Sequence, residues 1–191
     1  MPRLRRPAAV IAALLASAGL TACGNHTDES ARVVRADNEG IYLSLGELKY
    51  QVQISRQLNP YDTQDKFYLR GLPAAQQQLT ADEVWFGVFM QVENQASTPQ
   101  QPSGAIKIRD TQDEVFTPLT LDDTNDFAYR PAEAIPAGEI LPIKDTPAYD
   151  TPIRGSMLLF KLKRTALDNR PLELEIGGTT TPQTGIIDLD V

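Results

Sequence analysis

The chain has 191 residues and carries 18 lysines and arginines against 25 aspartates and glutamates, a net charge of −7. That acidic balance argues against nucleic acid as a ligand, because affinity there comes mostly from neutralising phosphates with cations. One cysteine and one histidine exclude a disulfide framework, so stability must come from an ordinary core.

The N-terminus opens with Arg3, Arg5 and Arg6, then an apolar run from Ala8 to Leu15, then small residues through Ala18 and Gly19. These are the positive and apolar regions of an export signal. The run is shorter than the roughly 20 residues needed to span a bilayer. It closes on Leu20-Thr21-Ala22-Cys23, which resembles the lipobox of bacterial lipoproteins. The resemblance implies cleavage between Ala22 and Cys23, removal of residues 1–22, and a diacylglyceryl thioether plus an acyl group on Cys23. Two or more chains anchor stably, at about 0.8 kcal/mol per buried methylene. The expected location is the extracytoplasmic face of the cell membrane, with the membrane itself as a partner through that lipid. Loss of the three leader arginines leaves 15 basic against 25 acidic residues, a net charge of −10. Such a domain is expected to stand off an anionic surface.

Residues 23–39 are polar, charged and without periodicity, which predicts a flexible tether. His26 lies in it and reads as a solvated residue. From residue 40 to 191 the pattern is that of one domain. Leu48, Tyr50, Val52 and Ile54 alternate with polar residues, the mark of a strand with one wet face. Val84, Phe86, Val88, Met90 and Val92 repeat the pattern, with Trp85 and Phe89 opposite, as expected for a central strand. Ile106 and Ile108 with Val115-Phe116 predict a hairpin across Asp110-Thr111-Gln112-Asp113. Leu158-Phe160-Leu162, Leu172-Leu174-Ile176 and Ile187-Leu189-Val191 predict three more strands. Prolines fall between these runs, where the missing ladder donor does least harm. Pro73 to Asp82 predicts one short helical turn. The sum is an all-β, antiparallel sandwich following a cleaved signal peptide and a tether.

Val84 to Asn94, the proline-rich loop after it, the Ile106–Asp110 strand, the Ala137-Gly138 turn and Met157 to Leu162 form a wider pattern. It resembles the immunoglobulin-like extracytoplasmic domains of Gram-positive, especially actinobacterial, lipoproteins. The resemblance implies an immunoglobulin-like fold. The antibody-type cysteine pair is absent, so Trp85 would be a core tryptophan with no disulfide beside it.

The domain holds neither histidine nor cysteine. That removes Ser-His-Asp and Cys-His catalysis and histidine- or thiolate-bound zinc. Carboxylates remain. Asp122, Asp123 and Asp126 cluster in Leu121-Asp-Asp-Thr-Asn-Asp-Phe127, and hard oxygens so spaced suit calcium; the alternative is a polar loop with Asx-turns. Tyr61, Asp62 and Asp65 lie after Asn59-Pro60 and form a candidate binding rim. Arg154, Lys161, Lys163 and Arg164 place positive charge on and beside one strand, expected to be balanced by Glu173 and Glu175 on a neighbour. No metal or other cofactor is expected otherwise. The sequence therefore reads as a non-catalytic accessory module that presents loops or a sheet edge to another envelope component. The alternative is a carrier holding a small or apolar ligand between the sheets. Third is a carboxylate-dependent hydrolase of cell-wall glycan, whose outcome would depend on the carboxyl separation.

Overall fold

The computed structural model describes residues 32–180 and 182–190; the lipobox, Cys23, His26 and the tether through residue 31 lie outside the described residues. Among the described residues ten strands form two sheets. They are β1 (Arg32–Ala36), β2 (Leu43–Leu45), β3 (Leu48–Leu58), β4 (Glu83–Asn94), β5 (Ile106–Arg109), β6 (Val115–Phe116), β7 (Ile140–Leu141), β8 (Ser156–Lys163), β9 (Leu172–Gly177) and β10 (Gln183–Leu189). One sheet runs β1-β10-β9-β5-β6. The other runs β2-β3-β4, with β7 and β8 sharing the far edge of β4. The protein is an all-β sandwich.

The interior between the sheets is built from the alternation seen in the sequence. Val84, Phe86, Val88, Met90 and Val92 of β4 meet Leu158, Phe160 and Leu162 of β8 and Leu172, Leu174 and Ile176 of β9 in one buried cluster. The approach of the sheets is close at Gly185, where a Cβ would lie 2.5 Å from Leu43 Cδ2. Any larger residue there would push β10 away from β2.

Three features depart from the sequence reading. First, β1 pairs with β10 in parallel, from Arg32↔Gln183 to Ala36↔Ile187. The folded domain therefore begins by Arg32 rather than at 40, and one pair is not antiparallel. Arg32–Ala36 escapes pattern reading because only Ala36 is buried, so there is no alternation to see. Second, the β3–β4 register shifts between Val52 and Ile54. This β-bulge turns Ile54 away from the face of Leu48, Tyr50 and Val52 and puts buried Ser55 in its place. Third, a second apolar cluster lies on the outer face of β3, β4 and β8. Leu58, Trp85, Phe89, Met157 and Leu159 are covered there by Tyr68 from a one-turn helix and by Leu72 and Leu121 from irregular segments. The short turn expected after Pro73 is a 3-10 turn, Ala74–Gln76. A one-turn helix, α1 (Asp65–Tyr68), precedes it.

Candidate functional site

The β5–β6 ladder ends at Ile108↔Phe116. Two residues later Pro118 has no N–H to offer, and the chain crosses to the other sheet, where Leu119 N–H donates to Leu159 O at 2.7 Å. Ile106 and Lys107 are left without a strand neighbour on that side. Further along, residues 127–129 reach β8 from outside: Tyr129 N–H donates to Met157 O at 2.8 Å, and Met157 N–H to Phe127 O at 2.6 Å. Between the 117–121 and 128–133 segments lies a groove of about 500 Å³. That volume suits a small ligand or a few side chains. Its apolar surface comes from Ile106, Leu119, Leu121, Met157 and Leu158, and its rim carries Thr117, Asp123, Arg130 and Glu133.

The groove straddles a seam. Leu158 and Ile106 belong to the interior cluster, whereas Met157 and Leu121 belong to the outer one. Consecutive residues of β8 point to opposite faces, so one strand supplies both sides. The wall at 103–105 is braced by two tyrosines. Ser103 N–H donates to Tyr50 Oη at 2.9 Å, and Tyr129 Oη donates to Ser103 O at 2.8 Å. Burial pushes both phenols up, Tyr50 to about 12, so both remain protonated and act as structural hydrogen-bonding groups. At the rim Arg130 is held by Asp123 at 3.1 Å and donates to the carbonyls of Asp122 and Asn125.

The sequence-predicted acidic residues do not act together. Asp122 Oδ1 accepts from Thr124 N–H at 2.9 Å and from its hydroxyl, an Asx-turn. Those bonds hold its carboxyl below the usual range. Gly71, at φ +74, makes room for it, since a Cβ there would lie 2.6 Å from Asp122 Oδ1. Asp123 is taken by Arg130, and Asp126 sits in a separate pocket of about 310 Å³ with Phe67, Arg70 and Phe127. Among the described residues no group of three or more histidine, cysteine, aspartate or glutamate side chains is placed to hold a metal.

The expected rim of Tyr61, Asp62 and Asp65 also divides. Tyr61 is 87% exposed. Asp62 Oδ1 accepts from the N–H groups of Gln64 and Asp65 at 2.8 and 3.1 Å. Asp65 is buried and is no rim residue. Both of its oxygens face the Arg56 guanidinium, and Oδ2 also accepts from Asn59 N–H at 2.7 Å. Burial pushes its carboxyl up, but Arg56 and Asn59 outweigh that and hold it below the usual range.

Two buried asparagines carry more structure than the acids beside them. Asn94, at the end of β4, donates to Thr98 O and Ile135 O, both at 2.9 Å, and accepts from Ala96 N–H. Asn125 donates to Tyr68 O at 3.0 Å and Arg70 O at 2.9 Å and accepts from Phe127 N–H. The sequence offered one signal, an amide among carboxylates in a loop. The basic stripe is not balanced by Glu173 and Glu175 as expected. Those two acids pair with Arg35, Lys107 and Arg109 across the other sheet. Lys163 meets Glu114 at 2.5 Å instead, because β8 neighbours β4 and not β9.

No family model matches the sequence, and no curated protein matches it. Three solved structures are similar in fold. The yjhA protein of Bacillus subtilis has a TM-score of 0.48 at 9% identity, over 81% of this chain and 100% of its own. An uncharacterized beta-sandwich protein from Clostridium difficile has a TM-score of 0.46 at 12% identity, over 82% of this chain and 97% of its own. A conserved hypothetical protein from Bacillus anthracis has a TM-score of 0.41 at 10% identity, over 71% of this chain and 84% of its own.

Proposed function

We propose that this protein is a lipid-anchored, extracytoplasmic, non-catalytic binding module with an immunoglobulin-like fold, which docks a segment of another envelope protein in the seam groove. The observation that carries the reading is the uncovered edge of β5 beside an apolar floor. Ile106 and Lys107 pair with β9 but lack a strand neighbour on their other side, and Leu158 and Met157 line the space next to Ile106. An extended segment can add main-chain hydrogen bonds to such an edge while alternate side chains enter the groove. Cys23 supplies the anchor, with cleavage after Ala22. No metal or other cofactor enters this reading.

Thr117 is exposed and lines the groove, so Thr117→Arg fills it without disturbing the core. Lipidated protein isolated from its own cells after crosslinking should bring down one stoichiometric envelope protein, and Thr117→Arg should lose it. Equal recovery with both forms would refute groove docking. Cys23→Ala should release the protein from the membrane fraction; unchanged retention would refute the lipid anchor.

A second reading, a small apolar ligand in the same groove, is favoured by its volume of about 500 Å³. Native mass spectrometry of freshly isolated protein separates the two, since a co-purified small molecule belongs only to the second.

A further inference from the structure

At the other end of β8 a second groove of about 600 Å³ opens where the end of β3, the start of β4 and the 77–81 segment meet. Its lining differs from that of the seam. Gln57, Gln78 and Thr80 present uncharged polar groups, Tyr61 stands at the rim, and Trp85 and Leu79 lie deeper. The charged groups present are engaged with neighbours. Glu83 faces Lys161 at 3.9 Å and accepts from Thr80 N–H at 2.8 Å. Arg164 donates to Ala81 O at 3.0 Å.

Tyr61 is the most exposed large hydrophobic residue among the described residues, at 87%, yet its backbone is held firmly. Asn59 Oδ1 accepts from Tyr61 N–H at 3.0 Å, and Asn59 O accepts from Asp62 N–H at 3.0 Å. Pro60 fixes φ between them. Asn59 N–H in turn donates to buried Asp65, which Arg56 secures. A chain of polar contacts anchored on buried Asp65 thus ends in an aromatic ring offered to solvent. Isolated exposed aromatics are common, but one braced in this way and placed over a groove of neutral amides is a prepared platform. An aromatic face takes the C–H face of a pyranose ring, and primary amides both donate to and accept from hydroxyls. Glu83 and Arg164 are engaged with Thr80 N–H and Ala81 O, so the polar groups turned to the groove are mainly amides and hydroxyls, which suits a neutral ligand.

We infer that this groove binds a neutral oligosaccharide, with Tyr61 as the stacking platform and Gln57 and Gln78 as hydroxyl partners. Asp65, Arg56 and Asn59 act as positioning residues. The site is separate from the seam groove, so either can fail without the other.

Trp85 is the chain's single tryptophan and lines the groove, which makes it a built-in reporter. The experiment titrates full-length mature protein with maltotetraose, cellotetraose and chitotetraose. Trp85 emission is followed in parallel with the side-chain amide resonances of Gln57 and Gln78. The expected result is saturable change in both readouts with at least one probe, with a Kd of about 1 mM or tighter. Tyr61→Ala should weaken it about tenfold, while Tyr61→Phe should retain it. No saturable change with any probe, or equal binding by Tyr61→Ala, would overturn the inference. Both variants lie on the surface, and an unchanged far-ultraviolet spectrum and melting curve would confirm that each is folded.

Discussion

The interior between the sheets and the layer outside β3, β4 and β8 bury similar side chains by different means. In the interior, strands face strands, and the ladders satisfy the backbone before any side chain is considered. Phe160, Val88 and Leu174 need only fit. In the outer layer the covering segments are irregular, and their carbonyls and N–H groups would be orphaned without help. Side chains replace the ladder there: Asn125 ties Tyr68 O and Arg70 O, and Asp65 ties Asn59 N–H. Aromatic edges then close the packing, with Tyr68 T-shaped to Phe89 and to Phe127, both at 4.9 Å. A loop-built layer can thus be as dry as a sheet-built one, but its integrity depends on a few polar atoms. The seam groove takes one wall from each region.

The sharpest test of that contrast is a matched pair of losses. Phe160→Ala empties a site that is fully buried among strands, and should cost about 3–5 kcal/mol. The whole domain should melt earlier in one transition. Arg56→Ala should cost less, about 2–3 kcal/mol. A fully buried pair broken this way would cost about 3–5 kcal/mol, but Arg56 keeps 30% of its side chain in solvent. Its effect should be local. Amide exchange should accelerate across residues 59–72 while β9 and β10 remain protected.

Asn125→Ala should follow at about 1–2 kcal/mol, because two carbonyls lose their partners. It should also loosen the seam groove, since Arg130 donates to the Asn125 carbonyl at 3.1 Å. Exchange at 119–130 is the readout. Chemical shifts of Leu174 and Ile187 should stay fixed.

Acid should separate the regions with a smaller effect. The folded-state pKa of Asp65 is depressed from 3.8. Its contribution is therefore present above the ordinary aspartate value and is lost as pH falls through the folded one. The outer layer should loosen first below about pH 4. Glu39 works in the opposite sense. Burial raises its carboxyl above 4.5 while it accepts from Ser55 and Asp190 N–H groups, so acid favours the fold there. Near-ultraviolet signals from Trp85 should change before β10 amides exchange.

Much of the interior was legible because alternation and burial coincide in it. Phe86, Phe160 and Ile176 announced their faces directly. The bulge at β3 was not, since Ile54 continues the period by identity while the backbone breaks it. Nor was β1, whose Val33 and Arg35 are exposed. The outer layer was half legible. Trp85 and Phe89 showed that β4 is buried on both faces, but nothing local named Tyr68, Leu72 and Leu121 as the cover. For the sites, residue type misled. Asp122 and Asp123 read as calcium ligands and Asp65 as a rim residue, yet each is committed to a neighbour within its own fold region. The seam groove was invisible in the sequence, because its floor comes from β5 and β8, strands far apart in the chain and in different sheets.

The measurement that bears most directly on the seam groove is site-specific photocrosslinking of the anchored protein in intact cells. A photoreactive residue would replace Thr117 or Ala132 at the groove, or Arg35 on β1, at the far edge of the β5 sheet, as the control. The account predicts the same single envelope protein attached at both groove positions and absent at Arg35. Attachment at Arg35 alone, or no protein attached at either groove position, would contradict it.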